Sequence, residues 1–273
     1  MTHKLKVYIK HSYLQKIWYD QRSILLGLTI FSFLFEFAFA WLLFEADFKS
    51  LFESVAHLLP PALMNFIGVT VGGEYYGSQL LAFGYSHPLI LISLSLIPIG
   101  IPARYIAGEV EHKTMDILMA RSIHRSVIPT HLFIYLAFAL AIQVIALFAG
   151  TYAGYQLFSL DLNLEGYIKV AIMTYLFFLS IGSISLTIST FQFERGKAIA
   201  KSVSLFVFLY FYDTIIRLNQ NLESFTTYSY FNLFQPGKLL KGQIDFMSGI
   251  IFLGIIILCF LMLSVFYFNR RDL

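Results

Sequence analysis

The chain is poor in the residues that usually announce a mechanism. Its 273 residues include one cysteine, two tryptophans and seven prolines, and charged side chains make up only 13%. With Cys259 alone, no intrachain disulfide framework exists. Charge this sparse, beside 58% hydrophobic residues and a mean hydropathy of +0.72, excludes an ordinary water-soluble domain. A net charge of +3 spread over loops excludes a nucleic-acid-binding face and leaves a membrane surface as the basic partner. No GxxxxGK[ST] phosphate loop occurs, because Gly196-Lys197 runs on into Ala198 and Gly237-Lys238 into Leu239. There is no HExxH or GxSxG signature, and the seven histidines lack metal-ligand spacing. We therefore expect no catalytic residue, cofactor or metal on this chain.

What the chain has is long apolar stretches. A hydrocarbon core takes roughly 20 apolar residues per helix, and six stretches qualify: 23–44, 81–107, 127–152, 167–190, 202–216 and 247–268. The expected fold is an all-α integral membrane protein, one membrane-embedded domain over 1–273, with the short polar stretches as loops. Residues 1–22 collect Val7, Leu14, Ile17 and Trp18 on one side and carry Lys4, Lys6, Lys10 and Lys16, which describes either an amphipathic helix at the headgroups or a simple basic anchor. No small-residue cleavage site follows, so this leader is expected to stay.

Several polar residues interrupt the spans. Glu36 is an acid in the first span, which costs at least ~2.5 kcal/mol if it faces lipid, so it faces a translocation path or a helix contact. Pro98, Gly100 and Pro102 make the second span the least regular and a candidate hinge. In the fourth span Ser180, Ser183, Thr187 and Thr190 share a face; Ser183 and Thr187 are candidates for a close-packed seam or a polar lining. Asp213 and Arg217 have the spacing of a helical ion pair. Segments 45–80 and 218–247 are too polar to span yet rich in interfacial side chains, and short interfacial or re-entrant helices suit them.

Residues 108–126 lie between the second and third spans and hold most of the charge in that part of the chain. Lipid does not solvate such a run, so it forms a turn in water. Thr114 reads as a helix N-cap with Asp116 in the positive first turn. In the short helix that follows, Met115, Leu118 and Met119 share one face and form an apolar knob, with Asp116 and Arg121 turned away. Lysine and arginine fix its side: with both termini inside, 14 of the 19 are cytoplasmic.

The order Gly108-Glu109-x-Glu111-x-x-Thr114, then Leu118, then Ile123 and Arg125, resembles the coupling loop of the permease subunits of type-two ATP-binding-cassette (ABC) exporters. That pattern has Gly, Pro and Ser where this chain has Lys113, Ser122 and His124. Without the glycine the bend loses the residue that tolerates positive φ, and without the proline it loses a helix stop. The resemblance implies that Glu109, Glu111, Thr114, Met115, Asp116, Leu118, Met119, Arg121, His124 and Arg125 form the contact with cytosolic ATPase subunits. It implies that those separate subunits bind ATP and Mg, that a second permease chain, identical or related, completes the path, and that the protein is multi-pass in the cell (inner) membrane. The expected function is export coupled to ATP hydrolysis. The alternative is a membrane subunit that passes ATPase motion to a periplasmic or extracellular partner without moving a solute.

Overall fold

The computed structural model describes residues 2–45, 54, 55, 58, 76–120, 124–160 and 162–271. Arg121, Ser122 and Ile123, and most of the expected outer segment 45–80, lie outside the described residues. Six helices are long and apolar enough to cross a membrane, and the described residues contain no strand.

The first is α1 (Thr2–Phe44), which passes Ser23 without a break, so the leader and the first span are one element. The second span is composite. It runs through α2 (Tyr76–Ser86), α3 (Pro88–Pro102), a π-helical turn (Ala103–Gly108) and α4 (Glu109–Glu111). α5 (Met115–Met119) is the short helix of the charged turn. The remaining spans are α6 (Val127–Phe158), α7 (Leu164–Thr190), α8 (Arg195–Leu218) and α10 (Phe246–Arg270). Between α8 and α10 lie two 3-10 turns (Gln220–Tyr228 and Tyr230–Leu233) and α9 (Pro236–Leu240).

The ends of the bundle are easily told apart. One holds the 108–126 turn, the 191–194 turn and the start of α6, and we call it the loop end; the other, holding α9, is the far end. α7 and the second span are central, with 72% of their apolar windows buried, whereas only 22% is buried in α1, α8 and α10. Outward apolar residues such as Ile24, Leu34, Phe138, Ile145 and Ile255 form the lipid-facing belt. Cys259 is among the exposed residues of α10.

Small residues set the closest approaches. α1 and α6 run parallel, as the pairs Trp18 with Tyr135, Glu36 with Gly150, and Ala40 with Gly154 show. A Cβ on Gly150 would stand 2.6 Å from the Phe33 carbonyl oxygen, and one on Gly154 would stand 2.3 Å from Ala40 Cβ. These glycines let the two backbones touch, which is how helices associate in lipid. α7 and α10 are joined by Thr187, whose hydroxyl donates to Phe260 O at 2.7 Å, and Ser183 donates to Ser180 O at 2.7 Å. Both residues are buried between helices.

Three features stand apart from expectation. The span expected at 202–216 begins at Arg195, because the polar Arg195-Gly196-Lys197 turn is already helical and leaves only 191–194 as a connection. The irregularities of the second span flank Pro98, Gly100 and Pro102 and do not coincide with them. The chain breaks at His87 (φ −61, ψ 135), where Pro88 disfavours helix for its predecessor, and loosens into the π turn after Pro102. Two aromatics of 218–247 turn inward as well: Phe231 and Phe234 each lie 4.8 Å from the ring of Phe177, midway along α7, while Phe225 and Tyr228 stay exposed.

Candidate functional site

The loop end is built from side chains that reach across to other helices. After the π turn and α4 the chain reverses at Lys113, whose φ of 56° is left-handed. His112 N–H donates to Gly108 O, and Lys113 N–H donates to Val110 O, both at 3.0 Å, closing the turn. The sharp bend therefore exists without glycine, and these bonds hold a lysine in a conformation costing about 1 kcal/mol.

Thr114 does not cap α5. Its hydroxyl turns back to Glu109, 3.1 Å from the carbonyl oxygen and in a shorter contact with the carboxylate. Lys16 Nζ, 3.8 Å from the same carboxylate, draws it towards α1. A charged acceptor attracts a hydroxyl donor more strongly than a backbone N–H attracts a hydroxyl acceptor, which explains the departure from the expected cap.

The apolar knob is also reversed. Met115 is 1% exposed, and the half-buried Leu118 and Met119 pack on the core. The face turned outwards carries Asp116, Ile117 and Ala120, with Ile117 64% exposed. Five residues cannot hide two faces, and the one carrying three large side chains gains more from the bundle.

Four further contacts were not legible in the sequence, because each joins residues about 80 or more positions apart. The Glu111 carboxylate accepts the backbone N–H of Arg195 at 2.8 Å and so occupies the N-terminus of α8. Arg125 Nη1 donates to Arg271 O at 2.6 Å, at the end of α10. Arg271 in turn donates to Thr190 O at 2.8 Å and Gln192 O at 2.7 Å, capping α7. Tyr105, in the π turn, donates to Asp20 Oδ2 and accepts from Gln21 Nε2, both at 3.2 Å, tying the second span to α1. Burial lowers the Arg271 pKa from its ordinary value, but arginine's starting value keeps it cationic at neutral pH. Its guanidinium lies 4.5 Å over the ring of Phe193, itself 64% exposed. The His124 ring bonds Ser126 Oγ at 2.7 Å.

The sequence-predicted residues thus divide. Glu109, Glu111, Thr114, Met115, Asp116, Leu118 and Met119 come together at the loop end, His124 and Arg125 lie beyond the turn, and Arg121 is outside the described residues. Pro98, Gly100 and Pro102 sit deeper in the second span. Glu36 is fully buried in the bundle, with Oε1 accepting from Thr151 Oγ1 at 3.4 Å.

Six apolar helices, with α7 largely buried among them and a charged turn that grips several of them, define a multi-pass all-α membrane protein. A family model described as ABC-2 family transporter protein matches residues 19–273, and the chain belongs to that family. It is therefore a membrane component of a transport system. No curated protein and no solved structure matches the chain significantly.

Proposed function

We propose that this chain is the membrane-spanning subunit of an exporter driven by separate cytosolic ATPase subunits, with residues 108–126 as the coupling loop. The observation that carries this reading is that one charged turn bonds three other spans: α1 through Glu109 and Lys16, α8 through Glu111 and Arg195, and α10 through Arg125 and Arg271. A push on this turn has direct purchase on helices from both halves of the chain. The surface that receives it is the outward side of α5, where Asp116 and the exposed Ile117 offer a small apolar point with charge beside it. Phe193 and Glu194 extend it across the Glu111 to Arg195 bond.

In this reading the loop end and both termini face the cytoplasm, the protein resides in the cell membrane, and ATP and Mg are held by the ATPase chains. Two permease chains, identical or related, enclose the path. The π turn and the His87 break in the second span are where the structure gives way.

The test is co-purification with the ATPase encoded beside it, comparing the wild type with Ile117→Arg. Loss of the ATPase subunit, or a roughly tenfold fall in stimulated ATP hydrolysis as expected for a central interface residue, supports the reading. Unchanged assembly and rate at an unchanged unfolding temperature refute it.

A further inference from the structure

Polar groups deep inside a lipid-embedded bundle bond one another or water, because an unbonded amide or hydroxyl costs a few kcal/mol. In this protein a bonded group and several unbonded atoms among the interior polar residues meet at Glu36.

Towards the far end they bond each other. Thr151 Oγ1 is 3.4 Å from Glu36 Oε1 and 2.9 Å from Tyr85 OH. The Tyr85 and Tyr167 rings lie 6.2 Å apart, and Tyr167 OH donates to Ser78 O at 2.5 Å. On the loop-end side six buried polar atoms have no hydrogen-bond partner among the described residues, unlike Ser183, Ser185 and Thr187 of α7: Glu36 Oε2, Ser32 Oγ, both amide atoms of Gln143, Ser93 Oγ and Tyr135 OH. Ser32, Glu36 and Gln143 are 0% exposed. Ser32 is one turn from Glu36 on the buried face of α1. Gln143 lies eight residues before Thr151 on α6, about 12 Å along the axis, and Tyr135 lies the same distance further on. Since α1 and α6 run parallel in register, Ser32 and Gln143 lie on the loop-end side of Glu36, with Tyr135 further along α6.

Glu36 Oε2 is pressed against Gly84, where a Cβ would stand only 2.3 Å away. The ionisable groups facing it are Tyr85 of α2 and Tyr167 of α7. Thr151 faces it from α6, and the His87 ring lies tilted against the neighbouring Phe35, with ring centroids 5.1 Å apart. None of the ion pairs among the described residues includes it.

We propose that Glu36 is a proton-binding site within the membrane, served from the loop end by water held on Ser32, Gln143 and Ser93 and closed towards the far end by Tyr85 and Tyr167. Uptake joins a hydronium proton to the carboxylate, leaving a carboxylic acid and water, and release reverses this. The site is independent of how the loop end meets an ATPase.

Infrared spectroscopy of the full chain in lipid nanodiscs tests it, with exchange into D2O. The expected result is a carboxylic-acid carbonyl band at neutral pH that is absent from Glu36→Gln and shifts on exchange. Gln143→Leu is expected to slow that shift roughly tenfold, the equivalent of one lost hydrogen bond to water. Absence of the band, a band that does not shift over hours, or an exchange rate that Gln143→Leu leaves unchanged would each overturn the proposal. If Glu36→Gln does not fold, Glu36→Asp identifies the band by displacing it.

Discussion

The Glu111 carboxylate accepts the backbone N–H of Arg195 at 2.8 Å, so the end of the second span holds the beginning of the fifth. The two residues are 84 positions apart. The bond replaces the side-chain cap that Glu194, immediately before α8, does not supply.

Glu111→Ala frees an N–H at the start of α8 and should destabilise that terminus by about 1 kcal/mol, the usual worth of a helix cap. Amide hydrogen exchange over 195–198 should quicken while exchange in α7 stays as it was. Equal protection in both proteins would mean that the contact does not hold α8.

Lys113 occupies a left-handed turn position. Lys113→Gly relieves a conformational cost of about 1 kcal/mol, part of which is offset by the freer unfolded chain. A small rise in unfolding temperature is expected. Lys113→Val, whose branched side chain fits that backbone poorly, should lower it.

Arg271 holds two carbonyls in a buried position that lysine cannot reproduce, since only a planar fork reaches both. Arg271→Ala should cost about 2 kcal/mol, in the range for hydrogen bonds from a charged group. Arg271→Lys should recover less than half of this, read as the unfolding midpoint in mild detergent.

At the far end, Arg217 donates twice to Asp213, at 2.5 and 2.8 Å, with both side chains 9% exposed, and Ser229 donates to the same carboxylate. Asp213→Asn leaves a buried arginine without its counter-charge and should cost about 3 kcal/mol. The double variant Asp213→Leu, Arg217→Leu should be more stable than Asp213→Asn alone. A double variant that is the less stable would mean that the pair contributes more than mutual neutralisation.

These contacts mark the limits of what the sequence discloses. The six spans were legible because apolar length is a local property, and the charged turn because lipid excludes it. The spacing of Asp213 and Arg217 disclosed their bond for the same reason. The outward face of α5 was misread: the pattern Met115, Leu118, Met119 tells which residues share a face but not which side the bundle occupies, and Ile117 became the exposed one. Lys113 was misjudged because residue preference at a left-handed position yields when surrounding hydrogen bonds fix the turn. Glu111 with Arg195, and Arg125 with Arg271, carry no local signal, since each joins segments that meet only after the helices pack.

α1 runs without interruption over 43 residues. At 1.5 Å per residue its path is about 65 Å long, roughly twice the hydrocarbon thickness of a bilayer. With Phe44 at the far end, the surplus lies on the loop-end side, and Lys16 meets Glu109 along it. One continuous helix therefore joins the Lys16 contact with Glu109 to Glu36 and to the glycine-lined contact with α6, so that the loop end and the bundle interior share a single backbone element.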